Sequence, residues 1–458
     1  MKNLKENIMN YKFNHIYFIG IGGISMSALA EIMLHEKTKV SGSDKNNSKI
    51  IEKLQAVGAT VHLDHDSENI TSDIDLIVYT SAISEDNPEL LRAKELKIPT
   101  MDRAEFLGNV MKNYKHSICV SGTHGKTTTT GMLSSILIET NFQPTIFLGG
   151  EMDSLGGNLL HGSNQLLLTE ACEYKRNFLK FNPTLGLVLN IEEDHLDYYK
   201  DIKDIENAFV EFGRKLPADG HLIVNEENKD LFNNLECKLL TFGLNNADYY
   251  ADNIKLSPNP TYTLMHKGEK ITEVNLKVYG EHNILNSLAA FAVCSTLKIE
   301  PETIVKGLSN FKGTHRRYEH KGSVNQVSII DDYAHHPSEM KATLNTARSC
   351  SEGRIITVFQ PHTYTRTKKL LEGFAEALSL SDEVILLDIY AAREENTGEI
   401  HSKDILDKMK KDYSKEAIYA ESFSKAVAMA KSIAKKGDTI ITMGAGNVDE
   451  IANILVKA

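Results

Sequence analysis

Cysteine is scarce in this chain: five among 458 residues, an odd number with no Cys-x-x-Cys spacing. That excludes a disulfide framework or a zinc ribbon, fits a reducing compartment, and makes Cys119 and Cys294 small core residues. Long apolar runs are also missing. No stretch nears the roughly 18 apolar residues of a membrane span, and Met1 to Asn10 is polar with no apolar centre. Neither membrane insertion nor a signal peptide is expected, and the expected location is the cytoplasm. Positive charge is in deficit, 51 Lys and Arg against 62 Asp and Glu, for a net charge of -11. With no basic stripe to offset that balance, nucleic acid is not an expected partner, and anionic substrates must be met locally by helix N-termini, a metal and a few arginines. Internal repeats and low-complexity tracts are absent as well.

What is present reads as an α/β enzyme of about three domains, at roughly 150 residues per domain. Its centre is Val120-Ser-Gly122-Thr123-His124-Gly125-Lys126-Thr127-Thr128. An apolar strand from Ser117 to Val120 gives way to a glycine loop, and a helix starts near Lys126, so several amide N–H groups converge on a space suited to phosphate. Lys126 would reach the β and γ phosphates, and the Thr127 hydroxyl would sit on the accompanying Mg²⁺. Val120 stands where the longer form of this motif has its first glycine, so only Gly-x-x-Gly-Lys-Thr fits. Four consecutive threonines make a poor helix start unless bound phosphate and an inner face of Met132, Leu133, Ile136 and Leu137 compensate.

Before that loop, short strands at Ile16 to Ile19, Lys39 to Gly42 and Asp75 to Tyr79 alternate with helices, a doubly wound pattern. The first strand runs into Gly20-Ile-Gly22-Gly23-Ile-Ser25, and Asp44 follows about twenty residues later. This approaches a dinucleotide fingerprint, but Ser25 replaces the third glycine, which disfavours NAD and leaves a pyrophosphate site at the helix start. Ser81 and Ala82, at the carboxyl end of a later strand, lie where open α/β sheets bind ligands.

After the loop, two buried strands deliver acids and a histidine to their carboxyl ends, Thr169-Glu170-Ala-Cys-Glu173 and Asn190-Ile-Glu-Glu-Asp194-His195. Glu170 and His195 are thus candidate metal ligands beside Thr127. Residues Asp219 to Val278 read as peripheral strands with a Lys267-Gly268 turn. Gly280-Glu-His282-Asn283-Ile-Leu-Asn286 opens an apolar helix whose amides could read an adenine edge or equally be caps. A charged hinge at Gly313 to Arg317 then leads into a further α/β pattern. Its polar groups follow the strands: Asp331-Asp332-Tyr333-Ala-His335-His336-Pro and Gln360-Pro-His362-Thr-Tyr-Thr-Arg366.

Together these stretches, which run through the whole chain in order, closely resemble the Mur ligase family of peptidoglycan synthesis, in particular its members that add L-alanine. The resemblance implies a Rossmann-like N-terminal domain (1–112) for the UDP-sugar. It further implies a central ATP-binding P-loop domain with a mainly parallel sheet (113–313), and a Rossmann-like C-terminal domain (314–458) for the amino acid. It implies ATP and Mg²⁺ as cofactors, UDP-N-acetylmuramate and L-alanine as substrates, and a monomer or dimer. ATP would be held by Gly122 to Thr128 with His282, Asn283 and Asn286; the UDP-sugar by Gly22, Gly23, Ser43, Asp44, Ser81 and Ala82; the metal by Thr127, Glu170 and His195. Lys126, His195, Arg317, Asp332, His335 and Arg366 would be catalytic, Arg317 and Asp332 completing the site on closure, with His335 or His336 as candidate base for the amine. Thr363 stands where many relatives have an arginine, leaving Arg366 the more secure clamp; Glu173 is less secure than Glu170, and Asn207 to Val210 offers no lysine where later-step ligases carry a modified one. A murein tripeptide ligase is the nearest rival. A folylpolyglutamate synthase, an NAD-linked oxidoreductase and a non-catalytic nucleotide-sugar sensor fit less well.

Overall fold

The structure, a computed structural model, describes residues 13–80, 82–392 and 394–457, so Ser81 lies outside the described residues. The chain forms two compact units. The first takes the described chain up to Ile191 with Lys203–Thr241 and Ala292–Ile299; the second takes Glu192–Ile202, Phe242–Phe291 and the chain from Glu300 onward.

The first unit contains two sheets. One has five strands in the order Thr60–His62, Lys39–Ser43, His15–Ile19, Leu76–Tyr79, Thr100–Asp102, all paired in parallel. The central strand is apolar on both faces, with Ile16, Tyr17, Phe18 and Ile19 fully buried, as a strand covered by helices on each side must be. Ser48, Asn87 and Asp102 each accept N–H bonds from the first turn of the helix that follows, which sets where these helices begin.

In the second sheet, six strands of this unit run in the order His221–Asn225, Leu185–Val188, His116–Ser121, Leu166–Glu170, Thr145–Met152, Gly157–Leu160. His116–Ser121 is central and parallel to both neighbours, so three strands end along one edge. The helix Lys126–Leu137 differs from expectation: not one face but every residue from Thr129 to Leu137 is buried. Its polar residues tolerate this partly by bonding back to the helix, as Ser134 Oγ does to the Thr130 carbonyl at 2.6 Å.

The second unit carries an antiparallel set, Tyr249–Lys255, Thr261–His266 and Glu269–Asn275. The last two strands turn at Lys267-Gly268 with φ of 50° and 90°, the left-handed pair that a tight hairpin needs. It also carries a six-stranded sheet in the order Glu319–Val324, Val327–Asp332, Thr439–Met443, Ile355–Phe359, Glu383–Leu386, Ile418–Tyr419. All pairs but the first are parallel. Met340, Leu344, Phe359 and Phe374 pack on one face and Ile356, Val358, Ile385 and Ile451 on the other. The fold is therefore α/β with parallel-dominated sheets, as the sequence pattern predicts. Among the described residues no helix is long and apolar enough to cross a membrane. Cys119 and Cys294 are core residues, and no cysteine is in a disulfide.

Candidate active site

The glycine loop is clasped from the neighbouring strand end. Asn190 Oδ1 accepts from the His124 amide at 2.8 Å, the Asn190 carbonyl accepts from Thr123 N at 3.1 Å, and Asn190 Nδ2 donates to the His124 carbonyl at 3.2 Å. Gly125 enters the helix at φ 83°, a left-handed conformation that costs a residue with Cβ. The loop is thus fixed with its helix amides converging, while Thr128 completes the first turn, half-buried.

Lys126 folds across this loop. Its ammonium donates to the carbonyls of Gly122 and Thr123 and to Glu173 Oε2, the last at 3.0 Å. Burial pulls its pKa down, but Glu173, Cys172 and Glu170 outweigh that and the net shift is upward, so the lysine is charged. Glu173 is 2 % exposed; the sequence reading ranks it below Glu170, whereas the structure makes it the lysine's anionic partner. Glu170 faces the other side of the site. Its carboxylate accepts from Thr127 Oγ1 at 3.1 Å and from Gly149 N at 2.7 Å. A Cβ at Gly149 would lie 2.6 Å from Glu170 Oε2, so glycine there lets the carboxylate approach.

The expected metal ligands divide between the units. Thr127 and Glu170 are together in the first, offering hard oxygens of the kind Mg²⁺ takes while keeping several waters; the pair fits that ion. His195 belongs to the second unit, has φ 53° and donates its amide to Asp194 Oδ1 at 2.7 Å. His282, Asn283 and Asn286 also lie in the second unit. Asn283 Nδ2 donates to the Tyr279 carbonyl and Asn286 Nδ2 to Asn283 Oδ1; burial lowers His282 to about 4, so it is neutral.

At the strand ends of the second unit, Arg366 Nη2 donates to Asp194 Oδ1 at 3.0 Å and Nη1 to His362 Nδ1 at 3.2 Å, while Nε is buried without a partner. Burial opposes charge on Asp194, but His195, Arg366 and His335 hold its carboxyl well below the usual range. The residue at 363 is held at φ 64° and ψ 145°, a strained conformation for threonine. Both ring nitrogens of His336 are engaged: Nδ1 accepts from Ser338 N and Nε2 donates to the Glu193 carbonyl at 3.1 Å. His336 is thereby the N-cap of the helix Pro337–Cys350. His335 is pushed down to about 4, mainly by burial, and packs edge-on to His362 at 5.9 Å.

Of the two arginines at the hinge, Arg316 is the structural one. It donates to Asp331 and to the carbonyls of Gly444 and Gly446. The guanidinium of Arg317 lies 4.9 Å from the centre of the Tyr333 ring. Burial raises Asp332 to about 6 against the pull of Arg317, and it accepts from the amides of Ala334 and Tyr318 at 2.7 and 2.8 Å.

In the first sheet, Asp44 Oδ2 accepts from the Gly22 amide at 3.0 Å, while Gly23 and Ala82 are exposed. Ser43 is fully buried, its hydroxyl donating to Glu89 Oε2 at 2.7 Å. Glu89, 0 % exposed, also receives Tyr17, His65 and Asn69. Ser43 therefore positions the edge of the sheet instead of presenting a hydroxyl to solvent. Nothing in the sequence marks Glu89, because an acid in the first turn of a helix ordinarily faces water.

Family models match three consecutive stretches: the Mur ligase family catalytic domain at residues 15–115, the Mur ligase middle domain at 120–294, and the Mur ligase glutamate ligase domain at 316–446. A UDP-N-acetylmuramate–L-alanine ligase of Acetivibrio thermocellus is 50% identical over 453 residues, 97% of this chain and 96% of the relative. The chain belongs to the Mur ligase family. A second relative of the same description, from Clostridium kluyveri, is 49% identical over 97% of this chain and 98% of its own. Among solved structures, the UDP-N-acetylmuramate-alanine ligase of Thermotoga maritima superimposes with a TM-score of 0.81 at 30% identity, covering 97% and 98% of the two chains. A murein peptide ligase of Psychrobacter arcticus shares the fold at TM-score 0.73 and 24% identity. In this Mur ligase, Lys126 with Glu173, and Thr127 with Glu170, lie in the span matched by the middle-domain model, and the Arg366 loop in the span of the third.

Proposed function

We propose that this Mur ligase joins L-alanine to the lactyl carboxylate of UDP-N-acetylmuramate at the cost of ATP, releasing ADP and phosphate in the cytoplasmic assembly of peptidoglycan precursors. The observation that carries the reading is the paired loop, Lys126 on Glu173 and Thr127 on Glu170, in a chain half identical over nearly its whole length to relatives that bear this activity in their names. Three sheets and three matched family models support the division into domains at 1–112, 113–313 and 314–458.

A carboxylate is a poor electrophile until one oxygen becomes a good leaving group. The loop amides from Thr123 to Thr128 and Lys126 hold the β and γ phosphates, and Thr127 and Glu170 would hold Mg²⁺, which supplies charge neutralisation there. A carboxylate oxygen attacks the γ phosphorus, forming a C–O–P link and breaking the bond to ADP. The alanine ammonium gives up a proton to solvent and its nitrogen attacks the acyl carbon. The C–N bond forms, the C–O bond breaks, phosphate departs with that oxygen, and the amide nitrogen sheds its second proton to solvent or to the departing phosphate. Gly22, Gly23, Ala82 and Asp44 would meet the UDP-sugar, with Ser43 positioned by Glu89. His282, Asn283, Asn286, His195, Arg317 and Asp332 keep the roles the family pattern suggests. His335, neutral near pH 7, can accept a hydrogen bond from the alanine ammonium without repelling it, but with a pKa of about 4 it is a weak base.

ADP release with UDP-N-acetylmuramate and each amino acid in turn tests the substrate assignment. ADP formation with L-alanine is expected; ADP with a murein tripeptide and not with alanine would make this the tripeptide ligase, and none with any acceptor would favour a sensor. Within the site, Glu170→Gln removes a metal-directed charge but leaves the loop amides in place. The Mg²⁺ concentration for half-maximal rate is expected to rise about tenfold or more, with nucleotide affinity little changed. An unaltered Mg²⁺ titration would give Glu170 a purely structural role.

A further inference from the structure

Arg366 already holds a carboxylate. Asp194 occupies one of its nitrogens, Nη2, at 3.0 Å, and the adjacent Nε is buried with no partner. Asp194 thus uses half of a guanidinium edge that binds carboxylates best through two parallel N–H bonds. A carboxylate placed on both Nη2 and Nε would satisfy a donor that the resting enzyme leaves desolvated and unpaired.

Neither partner depends on the other to stay in place. The segment around Asp194 is fastened by Ser338 Oγ on Glu192, His336 Nε2 on the Glu193 carbonyl and Lys369 Nζ on the Leu196 carbonyl. Asp194 itself keeps the His195 amide at 2.7 Å. On the other side, Arg366 keeps His362 Nδ1 on Nη1. The ion pair can open without dismantling the loops that carry it, and no charge is then left without a hydrogen bond.

Granted the reading of Arg366 as the amino-acid clamp, on which this rests, we propose that Asp194 is a stand-in for the substrate carboxylate. It holds Arg366 until L-alanine arrives, and the incoming carboxylate exchanges with it, turning a single contact into a fork. The enzyme's affinity for alanine is then set by a competition between two carboxylates for one guanidinium. Asp194 is a positioning residue that tunes amino-acid KM, although it makes no contact with alanine.

Two measurements test this. In Asp194→Asn, which keeps the shape and the His195 amide contact but replaces a charge-assisted bond by a neutral one, alanine KM is expected to fall about fivefold to tenfold. The KM values for ATP and UDP-N-acetylmuramate should stay within about twofold. Asp194→Ser serves if the amide variant does not fold. An unchanged or raised alanine KM would overturn the exchange. Arg366→Lys is run alongside: if it raises alanine KM while Asp194→Asn does not lower it, only the exchange fails; if neither variant moves alanine KM, the clamp itself is wrong. The second measurement uses the unaltered full chain, crystallised with UDP-N-acetylmuramate, a non-hydrolysable ATP analogue and saturating L-alanine. The alanine carboxylate is expected on Nη2 and Nε, with Asp194 beyond about 3.5 Å of Nη2. Asp194 still paired to Arg366, with alanine bound elsewhere, would overturn the proposal.

Discussion

Lys126→Ala is expected to lower ADP formation by at least a hundredfold to a thousandfold, the scale of losing one preorganised charge from a phosphate-transfer site, while UDP-sugar binding persists. The structure adds a complication. Lys126 neutralises Glu173, a carboxylate 2 % exposed, and stripping a buried charge of its partner costs about 3–5 kcal/mol. The single variant should therefore also melt at lower temperature. Lys126→Ala combined with Glu173→Gln separates the two effects: melting temperature should recover substantially, and activity should not. Recovery of ADP formation in the double variant, or wild-type turnover in the single one, would remove Lys126 from phosphate binding.

Arg366→Lys is expected to weaken alanine affinity about tenfold to a hundredfold, from the roughly 1.5–3 kcal/mol of a charged hydrogen bond. Alanine offers one methyl, one ammonium and one carboxylate, so its orientation depends on that last group. An arginine fork matches it, whereas a lysine, a single point charge, does not; and Thr363, in place of a second arginine, supplies no second guanidinium. The structure gives a second reason for sensitivity. Arg366 bridges Asp194 and His362 at once, and one ammonium on a flexible stem cannot reproduce both contacts and still present a planar edge. Acyl phosphate formation precedes attack by alanine and should survive, detectable by reductive trapping of the activated carboxylate. Equal loss of trapping and of alanine turnover, or loss of neither, would contradict the clamp.

How far the site could be read in advance follows from where its parts lie along the chain. The glycine loop, Lys126 and Thr127 are contiguous, and local backbone chemistry makes such a stretch legible. So are the strands that end at Glu170 and Asn190, since an apolar run followed by polar residues marks the edge of a sheet. Partnerships between distant segments are not. Asp194 and Arg366 are 172 positions apart, and no spacing rule links them. The partners that make Arg316 a structural pin, Asp331 and the carbonyls of Gly444 and Gly446, are likewise distant in sequence, and nothing in the Gly313 to Arg317 stretch announces them. Residue type does not tell two adjacent histidines apart, yet His336 caps a helix with both ring nitrogens engaged while burial pushes His335 down to about 4.

The most direct test of the account is to follow the carboxylate oxygen. UDP-N-acetylmuramate labelled with ¹⁸O in both lactyl carboxylate oxygens is turned over by the wild-type chain with ATP, Mg²⁺ and L-alanine, and the released phosphate is analysed by mass. Activation at the Lys126 loop through an acyl phosphate predicts one ¹⁸O in each phosphate released. Phosphate free of the label, with amide formed, would mean that the carboxylate never attacked the γ phosphate, and would contradict the mechanism assigned to this site.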